Sequence, residues 1–134
     1  MGYSLRLVEN IQTKQQLFSL VSESGRNLLD EDVEVLIEAG VSQDNINQIF
    51  ATCETALSNT LPVSMFKKLH TPDGDIWEVK HKNPPLRMYL GKLRWPSSWV
   101  VLSLSLKKDQ KREIRRIVRF KRDYVNNINA IDHA

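Results

Sequence analysis

The spacing of apolar positions changes along the chain, and each change marks an element. In residues 3–9, YSLRLVE, Tyr3, Leu5 and Leu7 alternate with polar neighbours, which predicts a strand. In residues 13–24, TKQQLFSLVSES, the spacing of Leu17, Leu20 and Val21 predicts a helix, ended by Gly25-Arg26-Asn27. Residues 30–40, DEDVEVLIEAG, open on acids, carry Val33, Leu36 and Ile37 as an apolar stripe and stop at Gly40, which predicts a second helix. Ser42 caps another predicted helix over 42–59, with Ile46, Ile49, Phe50, Cys53 and Leu57 on one side.

Beyond Pro62 the period shortens. Strands are predicted over 63–70, 75–82, 86–94 and 99–106, separated by TPDG, NPP and WPSS. One long helix is expected from Asp109 to about Asn129. The predicted order is β-α-α-α-β-β-β-β-α, in a single domain spanning residues 1–134. The connections between the last four strands are too short for crossovers, so these strands should form an antiparallel meander with helices packed on it, an α+β fold.

Composition adds little until it is split. The net charge is +3, but residues 1–66 carry 3 basic against 9 acidic side chains, net −6, and residues 67–134 carry 16 against 7, net +9. A basic half of this size suits a polyanionic partner, although the acidic half could equally complement it within one fold. The lone Cys53 excludes an internal disulfide and a multi-cysteine zinc site. No apolar run reaches the roughly 20 residues of a membrane span, and the N-terminus lacks a signal-peptide pattern, so a cytoplasmic protein without membrane contact is expected. Asp30 to Asp32 resemble a metal cluster only superficially. Without His or Cys at ligand spacing they read as solvated acids at a helix start.

The charge concentrates in the last helix. Between Lys107 and Arg122 stand nine Lys or Arg and only two acids, Asp109 and Glu113. On a helical wheel Ile114, Ile117, Val118, Val125 and Ile128 gather on one side, with Tyr124 at its margin, and Arg112, Arg115, Arg116 and Arg119 on the other. Guanidinium groups offer phosphate a planar fork of donors. A solvated face, or a docking surface for an acidic partner, is the competing reading.

A second basic group lies on the predicted sheet. Alternation puts Glu78, Lys80 and Lys82 on one strand face, opposite Trp77, Val79 and His81, and Arg87 with Tyr89 on the next strand. RNA cleavage needs a base for the ribose 2′-OH, an acid for the leaving 5′-oxygen and fixed cations for the phosphorane-like transition state, and no metal. Glu78, Lys80, Lys82, Arg87 and Tyr124 are the candidates for these tasks. A structural ion pair of Arg87 with Glu78, solvent-facing strand lysines and a core Tyr124 are the alternatives.

Three ordered motifs in residues 64–125 carry a family resemblance. Gly74, Trp77, Glu78, Val79 and Lys80 fit a glycine–aromatic–Glu–apolar–basic strand; Arg87, Met88 and Tyr89 fit an Arg–apolar–aromatic strand; Lys107, Lys108, Gln110 and Lys111 fit a K-K-x-Q-K corner after an apolar strand. The set resembles the RelE/HigB-like toxins of bacterial type II toxin–antitoxin systems, closest to the phage-derived HigB-type branch. Lys80 stands where that family usually has Arg, Ser105 where an aromatic is usual, and Arg112-Glu113 where a Pro often follows the corner. The helices of about residues 28–59 exceed the smallest such toxins.

The resemblance implies a ribosome-dependent mRNA endonuclease without cofactor, built on a strongly twisted antiparallel sheet. It implies a cognate antitoxin as partner, a helix-turn-helix protein from an adjacent gene, with operator DNA contacted through the antitoxin complex. Arg87 inherits the catalytic role most directly. Lys107 and Lys108, with Lys111, Arg112, Arg115, Arg116 and Arg119, are the expected RNA-binding residues. A non-catalytic nucleic-acid- or ribosome-binding protein and a gyrase-directed toxin of ParE type are the alternatives.

Overall fold

The computed structural model describes residues 3–9, 11, 15–58, 66–71, 74–93 and 98–123, with the backbone alone at 120, 121 and 123. Alternation at the N-terminus produces strand β1 (Ser4–Leu7), paired antiparallel with β2 (Gln16–Val21). The segment expected to be the first helix is therefore a strand. Leu17 belongs to the core on one side of the sheet, and Phe18 and Leu20 to the core on the other. A strand buried on both faces loses its polar alternation, so a short apolar run mimics helical spacing. Gly25, with φ of 86°, turns the chain where the sequence predicts a break.

Helices α1 (Leu28–Glu38) and α2 (Gln43–Leu57) follow where expected. The Asn27 side chain accepts from the Asp30 N–H and that of Ser42 from the Asn45 N–H, both at 3.2 Å, so each helix starts on a satisfied cap. Gly40, at φ 94°, ends α1 while the Val41 N–H returns to the Leu36 carbonyl. The five apolar residues predicted for α2 are all buried. The α1 stripe is shifted: Leu29 and Leu36 are buried, whereas Ile37 faces outward.

The last four strands form the expected meander: β3 (Phe66–Thr71), β4 (Gly74–His81), β5 (Leu86–Lys92) and β6 (Ser98–Leu106). They belong to one six-stranded sheet of order β1-β2-β6-β5-β4-β3. The sheet is mixed, not antiparallel throughout, because β2 runs parallel to β6 with Phe18 opposite Val100. A single 3₁₀ turn (Lys107–Asp109) leads into α3 (Gln110–Asp123).

Three layers result. Helices α1 and α2 pack on one sheet face with Val79, Met88, Leu90, Trp99 and Val101; the Trp77 and Trp99 rings there meet edge to face at 5.0 Å. On the other face Ile117 and the partly buried Ile114 of α3 pack with Ile76, Tyr89, Val100 and Leu102. A register shift beside Tyr89 leaves Leu102 unpaired in β6, a bulge that brings Leu102 and Ser103 to the α3 side together. Among the described residues no helix is long and apolar enough to cross a membrane.

Candidate nucleic-acid interface

The α3 face of the sheet carries the polar residues. Cross-strand partners share a face, and the register sets Lys67 opposite Glu78, Lys80 opposite Arg87, and Arg87 opposite Ser105. Glu78 is only 3% exposed and collects three neighbours: Gln110 Nε2 donates to Oε2 at 2.7 Å, while Arg87 Nε and Lys80 Nζ each lie 3.9 Å from its oxygens. A buried carboxylate persists only with such partners.

Arg87 is 8% exposed. Its Nη1 donates to the Leu86 carbonyl at 2.8 Å and lies 3.4 Å from that of His81. Arg87 makes the ion pair with Glu78 that is the structural alternative for it, and it lies on the face that α3 overhangs. Lys80 is less buried and shares the face, whereas Lys82 lies past the end of β4 in an exposed turn and does not extend the Glu78–Lys80 row. Tyr124 lies outside the described residues. His81 stays on the opposite face, with ring nitrogens 2.7 Å from Gln48 Oε1 and 3.0 Å from the Pro84 carbonyl.

Tyr89, on the α3 side, makes no hydrogen bond of good geometry through its hydroxyl. Burial, and then the neighbouring Glu78, push that phenol well above its ordinary pKa, so it stays protonated. Burial also pushes the Cys53 thiol up to about 12, which leaves it an inert core residue.

The basic row of α3 divides into two sets. Arg112 lies 3.6 Å from both Asp109 and Glu113; Arg116 lies 3.7 Å from Glu113 and 3.5 Å from Asp32. Glu113 is buried, accepting from Ser103 Oγ at 2.5 Å, so it is part of the helix–sheet seam. Lys107, Lys108, Lys111, Arg115 and Arg119 are exposed, and none has an acid within 4 Å among the described residues. They are the open cationic face.

Asp32 corrects a further expectation. It is not a solvated acid at a helix start. Only 14% of its side chain is exposed, and Oδ2 accepts from the Leu104 N–H at 2.9 Å. Because β2 pairs with β6 only over Ser98–Val101, that N–H lies beyond the reach of β2, and Asp32 caps it. Burial raises the Asp32 pKa from 3.8 to about 6, against the Leu104 hydrogen bond and the Arg116 charge. Among the described residues no group of His, Cys, Asp or Glu could hold a metal ion.

Sequence reasoning passed over Gln110 as the partner of Glu78, Lys67 as its cross-strand neighbour, and the inward turn of Glu113. Only the last left a signal: on the wheel Glu113 falls about 40° from Ile117, at the border of the apolar side. Compared with family models, curated proteins and solved structures, the chain matches none.

Proposed function

We propose that this chain is a toxin of the RelE/HigB-like kind: a metal-independent endoribonuclease that acts on mRNA at the ribosome, works in the cytoplasm and is held inactive by a cognate antitoxin. One observation carries the reading. Lys107, Lys108, Lys111, Arg115 and Arg119 form an exposed row along α3 and its first turn, without acidic partners among the described residues. Charges recurring every three or four residues lie along one side of a helix, and each phosphate they neutralise releases condensed counterions.

The chemistry belongs to the sheet face that α3 overhangs. Glu78, freed from Gln110, takes the proton of a ribose 2′-OH, whose oxygen bonds to the adjacent phosphorus as the P–O5′ bond breaks. The products are a 2′,3′-cyclic phosphate and a 5′-hydroxyl, the departing oxygen gaining a proton from a general acid. Lys80 offsets charge on the phosphate, and Arg87 holds Glu78 in place.

A second reading is favoured by the burial of Glu78 and Arg87: the protein binds RNA or the ribosome and cleaves nothing. Incubating the purified protein with mRNA-programmed ribosomes and mapping 5′ ends separates the two. The toxin reading expects discrete cleavage, reduced at least about tenfold in Arg87→Ala, a typical effect of losing one stabilising or positioning charge. Tight, salt-sensitive binding without cleavage selects the second reading. DNA damage with intact mRNA would select the gyrase-directed alternative.

A further inference from the structure

Between α1 and the start of α3 lies a cleft of about 530 Å³ that shares only Lys108 with the cationic row and holds neither Glu78 nor Arg87 in its lining. Its α1 wall is apolar, formed by Leu36, Ala39 and the rim residue Val35, which is 62% exposed. Its opposite wall holds Lys108 together with Arg112 and Arg116, which are paired with the Asp109 and Glu113 of the same wall. Its floor is β6 beyond the end of β2, at Leu104 to Leu106.

Two polar groups in this cleft have bonding capacity to spare. The hydrogen bond to Leu104 and the contact with Arg116 both use Oδ2 of Asp32, which leaves Oδ1 as an acceptor. Ser105 is 7% exposed, and its Oγ has no hydrogen-bond partner. An unsatisfied buried hydroxyl is costly, so a site that leaves one beside a cleft is suited to something polar. An apolar stretch of wall, a carboxylate acceptor, a hydroxyl and the exposed Lys108 suit a flat heterocycle attached to a phosphate. A wholly apolar guest would leave Ser105 and Asp32 Oδ1 unmet.

The cleft is continuous with the proposed RNA track, because Lys108 belongs to both the exposed row and the cleft wall. RNA is read by sequence mainly through unstacked bases splayed out of a single strand. Resting on the RNA-binding reading above, we infer that this cleft is a nucleobase pocket: it receives one unstacked guanine of the bound strand, with Asp32 accepting from its Watson–Crick edge and Lys108 holding the adjoining phosphate. Guanine presents an imino and an amino donor side by side on that edge. Uracil presents one donor between two carbonyls, which would face the Asp32 carboxylate.

The test compares an oligouridine with the same oligomer carrying one guanosine, by fluorescence anisotropy at fixed salt. The guanosine-bearing oligomer should bind about tenfold more tightly, the size of effect expected for one well-placed base contact. In Asp32→Asn, which keeps an oxygen to accept from Leu104, the preference, taken as the ratio of the two affinities in the same protein, should fall to about twofold or less. A photoreactive thioguanosine in the oligomer gives a readout independent of the variant: adducts should fall on α1 between Asp32 and Ala39, which the cationic row does not include. Equal binding of both oligomers overturns the pocket while leaving RNA binding intact. Adducts confined to α3 and β4 overturn it too. Failure of any RNA to bind in a salt-sensitive way overturns the RNA reading and the pocket with it.

Discussion

Replacing Asp32 with asparagine separates two forces acting on one carboxyl. Burial favours the neutral acid, whereas Arg116 and the Leu104 N–H favour the carboxylate; burial wins, and the folded pKa is about 6 against an ordinary 3.8. A carboxyl whose folded pKa is raised binds more protons in the native state than in the unfolded chain. Its contribution to stability is therefore greatest below the unfolded value and declines as pH rises through the folded one, opposite to the usual salt-bridged acid. At 1.36 kcal/mol per unit, the shift corresponds to about 3 kcal/mol in all, of which about 2.4 kcal/mol is lost between pH 4 and pH 7. The side chain is only 14% exposed, so solvent screening removes little of this. Asparagine cannot ionise, and every other titrating group is common to both proteins. The unfolding free energy of Asp32→Asn minus that of the wild type should thus climb by about 2.4 kcal/mol from pH 4 to pH 7. With an m-value near 1.5–2 kcal/mol/M, that is a relative movement of about 1.2–1.6 M in urea midpoint, readable from tryptophan fluorescence. Parallel pH profiles would refute the argument. A difference that falls with pH would show that Arg116, not burial, governs the carboxyl.

Two other outcomes follow from groups that make no use of the cleft. Glu78→Ala leaves Arg87 buried without its counter-charge and should cost about 3–5 kcal/mol in urea unfolding, while Lys82→Ala, in an exposed turn, should change stability by less than about 0.5 kcal/mol; equal effects would place the ion pair outside the fold's energetics. Cys53 should react with a thiol reagent in the native protein only as fast as the chain opens, so denaturant should accelerate labelling steeply, and rapid stoichiometric native labelling would contradict its burial.

What the sequence made legible follows from how local each signal is. The meander was readable because TPDG, NPP and WPSS separate short alternating runs, and α1 and α2 because the acids from Asp30, Gly40 and Ser42 act on their own neighbours. The β2 segment was misread because its two-sided burial depends on β6, far along the chain. The same holds for the site. The row of α3 cations and the sharing of a face by Lys80 and Glu78 come from periodicity. That Arg112 and Arg116 are partly neutralised, that Glu113 points inward and that Asp32 caps a strand edge all depend on where α1 and α3 meet β6. No local pattern encodes that meeting.

The parallel pairing of β2 with β6 also dictates an order of events during synthesis. Phe18 leaves the ribosome long before Val100, its partner, is made. Closing so long a loop costs about 4 kcal/mol of chain entropy, against far less for each turn of the meander. The hairpins of β3 to β6 can therefore assemble from near neighbours, and β1 and β2 dock on them last. Until then the apolar run Leu17 to Val21 has only β1 and the two helices to lean on. A nascent chain stalled before Ser98 presents that run uncovered, a natural target for a holding chaperone and the segment at which aggregation of truncated products should begin.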